Sequence, residues 1–443
     1  MLPTFTKISK NINMQDIIRE LTWRGLIYQT TDDAHLAAWL MEKPRTIYAG
    51  FDPTADSLHV GHLVALMNLR RFQKFGHRPI ALAGGATGTI GDPSGKSEER
   101  KLITKEQVEY NIKCIELQIR KFLRFDHSPT GALLVNNADW FSQFSYIDFL
   151  RDVGKHFPVN IMLAKDSVKM RLENSESGLS FTEFSYMLMQ SYDFVHLYKT
   201  YNCEMQIGGS DQWGNITLGC EFGRRIGALP KNGQLHGLTS PLLTKSDGGK
   251  MGKTESGTLW LDPAKTSPYR FYQYWINLDD SDVEQTLKTF TDLTQPEIET
   301  VLATHKTDPG KRTAQKCLAD GLTQLVHGEA GAAVAQKATE IFFGGEIAEL
   351  DDAQLSSIFA DVPSKELPHN RLNNGLTITD ALVESGLSVS KSDARRTIQQ
   401  GGAYVNNRQI KDTETIIGTE YLVGESIMVL RAGKKNYALL RFK

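Results

Sequence analysis

Two histidines three residues apart, His59 and His62, flank Val60 and Gly61 in the run Tyr48-Ala-Gly-Phe-Asp-Pro-Thr-Ala-Asp-Ser-Leu-His-Val-Gly-His62. The run reads as a strand end, a polar loop and the first turns of a helix. The free N–H groups and dipole at such a helix start favour phosphate. Gly61 has no side chain, so a flat ring can approach the backbone between the histidines. A metal reading of the pair lacks a nearby third ligand and the spacing of an H-E-x-x-H helix.

Four more segments carry suitable chemistry. Gly84-Gly-Ala-Thr-Gly-Thr-Ile-Gly-Asp-Pro-Ser-Gly-Lys96 is no P-loop, because position 90 is isoleucine, and no G-x-G-x-x-G fingerprint. Its glycines suit a tight turn or a substrate close to the backbone equally. Asp92 can pair with an ammonium there, and Lys96 and Arg100 can reach a phosphate. In Phe181–Phe194, Tyr186, Gln190 and Asp193 fall at i, i+4 and i+7, so one helix face presents a phenol, an amide and a carboxylate between apolar walls. Gln206-Ile-Gly-Gly-Ser-Asp-Gln-Trp-Gly-Asn215 is a glycine turn from a strand into a helix, with Asp211 and Gln212 placed for a ribose or a polar substrate group. Lys245-Ser-Asp-Gly-Gly-Lys-Met-Gly-Lys-Thr254 is a lysine-rich loop whose glycines permit movement, so that Lys250 and Lys253 can close on a polyphosphate or simply face solvent.

These residues need elements to hold them. Strands are expected at Thr46–Phe51, Pro79–Ala83, Leu133–Asn136 and Met205–Ile207, alternating with helices. The clearest helix runs from Leu58 to about Phe75, with Val60, Leu63, Val64 and Met67 in helical period and Gly76 to end it. Such alternation implies a parallel sheet that binds ligands at the C-terminal ends of its strands. From Ser267 to Phe343 the chain reads as mostly helical, with Pro296 and Pro309 at helix starts. Residues 349–374 are polar, contain Pro363 and Pro368, and read as a linker.

Composition bounds the rest. A chain of 443 residues with 40% hydrophobic and 23% charged residues can build substantial cores. The net charge of −2 excludes a uniformly basic nucleic-acid coat, but its distribution is uneven. Residues 375–443 hold ten Lys/Arg against seven Asp/Glu, whereas the remainder holds 40 against 45. No apolar run approaches the roughly 18 residues of a membrane span. Cys114, Cys203, Cys220 and Cys317 are scattered and fit reduced thiols of a cytoplasmic protein. Residues 1–13 read as a flexible tail; a short basic organelle leader is the competing reading, on Lys7 and Lys10.

Together YAGFDPTADSLHVGHL, GGATGTIGDPSGK, FSYMLMQSYDF and QIGGSDQWGNI resemble the bacterial-type tyrosyl-tRNA synthetases over essentially the whole chain. HVGH corresponds to the class I HIGH signature and KMGKT, about 190 residues later, to KMSKS. Gly252 replaces the serine of the general signature, as is common in the tyrosyl branch. The resemblance implies an α/β fold: a Rossmann-like catalytic domain over 14–266, a helical anticodon-binding domain over 267–348, the linker, and an αL-type RNA-binding domain over 375–443. It implies activation of tyrosine by ATP with Mg²⁺, without a protein-bound metal, then transfer to tRNA(Tyr) by a cytoplasmic homodimer with no membrane attachment.

Residue by residue, it implies that Tyr48 and Asp193 bind the substrate phenol. Asp92, Tyr186 and Gln190 would hold its ammonium, with Gln212 nearby. Gly50, Asp52, His59, Gly61, His62, Asp211 and Lys253 would surround ATP, with Thr54 and His59 at its terminal phosphates. Lys96, Arg100, Lys250, Lys253 and Thr254 would stabilise the departing pyrophosphate. Lys391, Arg395 and Arg396 would meet RNA. A tryptophanyl-type synthetase and a synthetase-derived splicing factor are the competing readings. The four segments speak against the first, and intact HVGH and KMGKT against the second. A small-molecule nucleotidyltransferase would not need the helical and basic C-terminal regions.

Overall fold

The computed structural model describes residues 16–94, 103–174, 178–231, 233–254, 257–347 and 350–443. Lys96 and Arg100 therefore lie outside the described residues, and of Thr254 only the backbone is described. The chain forms two compact units.

The first unit comprises the chain up to Asp262 together with Asp279–Ala314. Its centre is a sheet of β1 (Gln29–Thr30), β2 (Thr46–Phe51), β3 (Arg78–Ala83), β4 (Leu133–Asn136), β5 (Cys203–Gly209) and β6 (His236–Ser240) in the order β1-β6-β5-β2-β3-β4. All neighbours are parallel except β1 against β6. Ile47, Tyr48, Ala49 and Phe51 of β2 and Pro79–Ala83 of β3 are buried on both faces, which is why these strands read as apolar runs rather than alternations. The Val60–Lys74 helix packs on β2 and β3 and buries Val60, Leu63, Leu66, Met67, Leu69 and Phe72. It starts two residues later than expected because His59 caps it, and Gly76, at φ 94, lets the chain turn away after it.

The expected strands are present, with Met205–Ile207 extended to Cys203–Gly209, and the Phe181 helix runs on to Tyr201. β6 was not anticipated. Its sequence, HGLTS, has no apolar period although every residue is buried. A two-stranded ribbon, β7 (Lys253–Thr254) with β8 (Gly257–Thr258), ends the lysine-rich loop.

The second unit comprises Pro263–Leu278 and Gln315–Lys443. The helical stretch 267–348 is thus not one domain, since Asp279–Ala314 belongs to the first unit. Pro296 does stand in the first turn of the Gln295–Thr307 helix, whereas Pro309 opens only a short 3-10 turn. The expected linker is also corrected. The Asp352–Ile358 helix buries Leu355 and Ile358, which share a core with Ala338, Ile341, Val423, Ile427, Tyr437 and Leu439. Further along, β9 (Ser364–Leu367) pairs in parallel with β13 (Asn436–Phe442). β9 is an edge strand with three exposed residues, so it looks polar, and Pro363 and Pro368 bracket it rather than break it.

The sheet continues through β10 (Ala403–Val405), β11 (Arg408–Gln409) and β12 (Ile427–Ala432) in the order β11-β10-β12-β13-β9. The Lys391–Gln399 helix is capped by Ser390 and followed by Gly401 at φ 70. Its Ala394 and Ile398 join Leu376, Ile378, Leu382 and Leu430 in the core. No helix among the described residues is long and apolar enough to cross a membrane.

Candidate active site

In the first unit the candidate residues lie on β2, at the C-terminal ends of β3 and β5, at the helix starts that follow these strands, on the Phe181–Tyr201 helix and in the lysine-rich loop. At the mouth stands the histidine pair. His59 Nδ1 accepts the Gly61 N–H at 3.0 Å, His62 Nδ1 accepts the His59 N–H at 3.1 Å, and the rings stack at 4.0 Å. Both Nδ1 atoms are acceptors, so the neutral rings carry their protons on Nε2. The two imidazoles are thereby fixed as donors at a helix N-terminus. A Cβ on Gly61 would lie 2.8 Å from the His59 ring, so glycine is what lets this cap form. Gly50 has nothing within 4 Å of an added Cβ, leaving open space over the end of β2. Thr54 is exposed beside it, its N–H bonded to the Asp52 carbonyl.

Deeper in, two polar networks meet. In one, Asp52 accepts the Tyr186 hydroxyl at 2.7 Å and the Thr87 hydroxyl at 2.8 Å. Asn137 donates to Thr87 at 3.0 Å and to Asp193 at 3.1 Å, and the Trp140 indole N–H donates to Asp193 at 2.8 Å. Burial pushes the Asp193 carboxyl up to about 8, against the lowering effect of its two donors. In the other, Asp92 accepts from the Ser94 N–H at 2.9 Å and the Gln212 amide at 2.7 Å. Gln190 donates to Gln212 at 3.2 Å, and Asn215 donates to Gln190 at 3.0 Å. Gln212 also donates to Asp211 at 3.0 Å. Burial lifts Asp92 only to about 6. The Tyr186 hydroxyl is held well above its ordinary range by burial and by the carboxylates of Asp52, Asp92 and Asp193. Asp92, ionised above about pH 6, makes its side of this region attractive to a cation, whereas Asp193 holds its proton up to about pH 8.

Two buried polar atoms here have no hydrogen-bond partner among the described residues. Tyr48 is fully buried, its ring edge-on to Phe194 at 5.2 Å, yet its hydroxyl has no partner among the described residues. Gln206 is opposite Tyr48 in the β2–β5 register, and its Oε1 is likewise orphaned. An unmet buried hydroxyl costs on the order of 1–3 kcal/mol, which a ligand bearing its own hydroxyl can recover. Asn137, Trp140, Thr87, Ser94 and Asn215 were not anticipated. They lie in turns or on helix positions without a period, and only the fold brings them to the carboxylates.

The lysine-rich loop is a hairpin. Lys245 N–H bonds to the Gly249 carbonyl at 2.8 Å, Met251 N–H to Leu243 at 3.2 Å, and Leu259 N–H to Gly252 at 2.9 Å. Gly252 adopts φ 79 and lies against the first turn of the Val60–Lys74 helix, where a Cβ would fall 2.7 Å from that of Val60. The KMGKT and HVGH segments are thus in contact. Lys250 and Lys253 are exposed, and Lys253 Nζ donates to Thr258 at 2.7 Å. Among the described residues no group of three or more metal-ligating side chains is assembled. In the second unit, Lys391 pairs with Asp380 at 2.5 Å and Arg396 with Asp393 at 2.7 Å, while Arg395 is exposed on the same helix.

Residues 41–344 match the family described as tRNA synthetases class I (W and Y), and residues 354–440 match the tyrosine–tRNA ligase SYY-like C-terminal domain. A tyrosine–tRNA ligase of Rhodopirellula baltica is 54% identical over 443 residues, all of both chains. That of Geobacillus stearothermophilus is 51% identical over 427 residues, 96% of this chain and 100% of the other. Among solved structures, a C-terminally truncated mitochondrial tyrosyl-tRNA synthetase of Aspergillus nidulans is 33% identical, covers 74% of this chain and 94% of its own, and has a TM-score of 0.67. With both family matches and identity of this order from end to end, the chain belongs to the tyrosine–tRNA ligases of the class I aminoacyl-tRNA synthetases.

Proposed function

We propose that this site activates L-tyrosine with Mg²⁺-ATP, giving tyrosyl-adenylate and pyrophosphate, and then passes the tyrosyl group to the 3′ end of tRNA(Tyr). The observation that carries the assignment is the contrast between the two ends of the pocket. The orphaned Tyr48 hydroxyl and the Asp193 carboxyl, protonated up to about pH 8, suit a phenol. Asp92, ionised above about pH 6 and bonded to Gln212, suits an ammonium, with Tyr186 and Gln190 beside it.

The tyrosine carboxylate is already a nucleophile. It attacks the α-phosphorus, the bond to the β-phosphate oxygen breaks, and pyrophosphate leaves with the electron pair, so no general base is required. The chain supplies position and charge. His59 and His62 offer Nε2–H donors beside the helix start, Thr54 stands at the same mouth, and Gly50 and Gly61 leave room for the nucleoside with Asp52 and Asp211. Lys250, Lys253 and Thr254, with Lys96 and Arg100, meet the charge that grows on pyrophosphate. Mg²⁺ would arrive with ATP as part of the substrate. In the second step a ribose hydroxyl of tRNA attacks the adenylate carbonyl and AMP leaves, with Lys391, Arg395 and Arg396 contributing positive surface for the RNA.

The assembly proposed is a cytoplasmic homodimer. Its support is a run of exposed apolar residues in the first unit: Tyr146, Ile147, Leu150, Val159, Leu163 and Phe181. Purified protein should catalyse ATP–pyrophosphate exchange when given tyrosine and none when given tryptophan. Exchange with tryptophan instead of tyrosine would refute the assignment.

A further inference from the structure

The lysine-bearing hairpin is gripped at its tip by a side chain outside the signature segments. Ser246 at that tip donates its N–H to Asp282 Oδ1 at 2.8 Å, and the Ser246 and Ser281 hydroxyls are 2.9 Å apart. Asp282 is only 7% exposed, and its second oxygen, Oδ2, is buried without a partner among the described residues. It lies in the first turn of the Asp280–Phe290 helix, where the dipole favours a carboxylate.

The other end of that helix is tied to the catalytic frame. Arg71, on the Val60–Lys74 helix that begins with HVGH, donates to the carbonyls of Lys288 at 3.2 Å, Thr289 at 2.5 Å and Thr291 at 3.1 Å. Arg24 donates to Lys288 at 2.7 Å and Leu293 at 2.6 Å. The root of the hairpin meets the same helix, through Asn68 donating to Ser240 of β6 at 2.9 Å. Asp280–Phe290 is therefore a strut with its C-terminal end fixed to the helix that presents His59 and His62 and its N-terminal end on the hairpin that presents Lys250 and Lys253. A carboxylate with one oxygen left unmet in the interior is costly, so packing alone does not explain its presence.

We propose that Asp282 is a positioning residue that latches the hairpin tip so that Lys250 and Lys253 are held in register with the histidine pair for the activation step. The proposal rests on the assignment of those lysines to the departing pyrophosphate. Asp282 contacts none of the residues assigned to tyrosine. Its loss should therefore change the rate of activation and leave the tyrosine pocket intact.

The test is tyrosine-dependent ATP–pyrophosphate exchange by the full chain carrying Asp282→Ala, Asp282→Asn, Ser281→Ala or Lys253→Ala. Losing the charged hydrogen bond should lower kcat roughly tenfold in Asp282→Ala, with the tyrosine KM within about twofold. Asp282→Asn keeps an oxygen for the Ser246 N–H and should recover most of the rate. Ser281→Ala removes only the hydroxyl contact and should retain the parental rate. An unchanged kcat in Asp282→Ala beside a damaged Lys253→Ala overturns the latch alone. A silent Lys253→Ala overturns the site assignment and the latch with it. A parallel rise in tyrosine KM in Asp282→Ala, or no recovery in Asp282→Asn, also overturns the latch, because either marks a general structural loss.

Discussion

At the scale of single residues, Tyr48 separates function from stability. Its hydroxyl is buried and has no partner among the described residues, which favours unfolding, whereas a substrate phenol would give it one. Tyr48→Phe should therefore stabilise the protein by about 1 kcal/mol, and it should lower the ratio of kcat/KM for tyrosine over phenylalanine by roughly 10–100-fold. Denaturant melts and exchange kinetics with both amino acids measure the two effects. A variant that is both less stable and equally selective would show that Tyr48 is an ordinary core residue. Asp193 makes a second prediction, in pH. Its folded pKa of about 8 lies above its unfolded value near 3.8, so the native state holds a proton that the unfolded chain releases. Stability from this group is full below about pH 4 and is lost as pH rises through 8. Melting temperatures taken from pH 6 to 8 should fall, and the slope should flatten in Asp193→Asn whatever that variant's absolute stability. Asp92, raised only to about 6, adds to the slope below that range. Tyr186, Gln190 and Asp193 could be found from sequence because helical spacing aligned them. Trp140 and Asn137 could not, because a strand-end turn followed by a single helical turn, Ala138–Phe141, carries no period.

At the scale of elements, β2 and β3 were legible because burial on both faces leaves an uninterrupted apolar run, and β4 because its Leu133, Leu134 and Val135 are consecutive apolar residues. β6 was not, because its backbone pairing rather than its side chains makes it a strand. The lysine-rich hairpin shows a further limit, since composition marks it as a loop but not which helix it touches. Gly252 decides that contact, combining a left-handed φ of 79 with a Cβ position 2.7 Å from Val60. Gly252→Ala should cost about 1–2 kcal/mol in backbone strain alone, before any displacement of the helix start. Pyrophosphate exchange should slow several-fold, because displacing Val60 moves His59 and His62 with it. Equal exchange rates and equal denaturation midpoints in variant and parent would remove the proposed role of this contact. The glycine in place of the signature serine is then a conformational requirement of this hairpin.

At the scale of the whole molecule, the polar stretch after residue 349 looked like a boundary and is part of a core. Polarity there reflects an edge strand, which exposes most of its side chains while its backbone completes the sheet. A chain ending near residue 350 would remove Leu355, Ile358, Val423, Ile427, Tyr437 and Leu439 from the cluster they share with Ile341 and Ile347. Such a truncated protein should still exchange pyrophosphate, since the exchange residues lie in the first unit. It should unfold its C-terminal helices at lower temperature than the intact chain and charge tRNA poorly. Finer resolution comes from the basic helix. Lys391 and Arg396 must each leave an internal carboxylate, Asp380 or Asp393, to meet a phosphate, whereas Arg395 is exposed and has no such pairing among the described residues. Arg395→Ala should therefore raise the KM for tRNA more than Lys391→Ala or Arg396→Ala. It should also reduce the slope of log KM against log salt by about one phosphate contact. Aminoacylation of tRNA at three or four salt concentrations compares all three variants. Equal effects from the three would mean that the internal ion pairs do not compete with RNA, and a silent Arg395→Ala would place the RNA on another face of this unit.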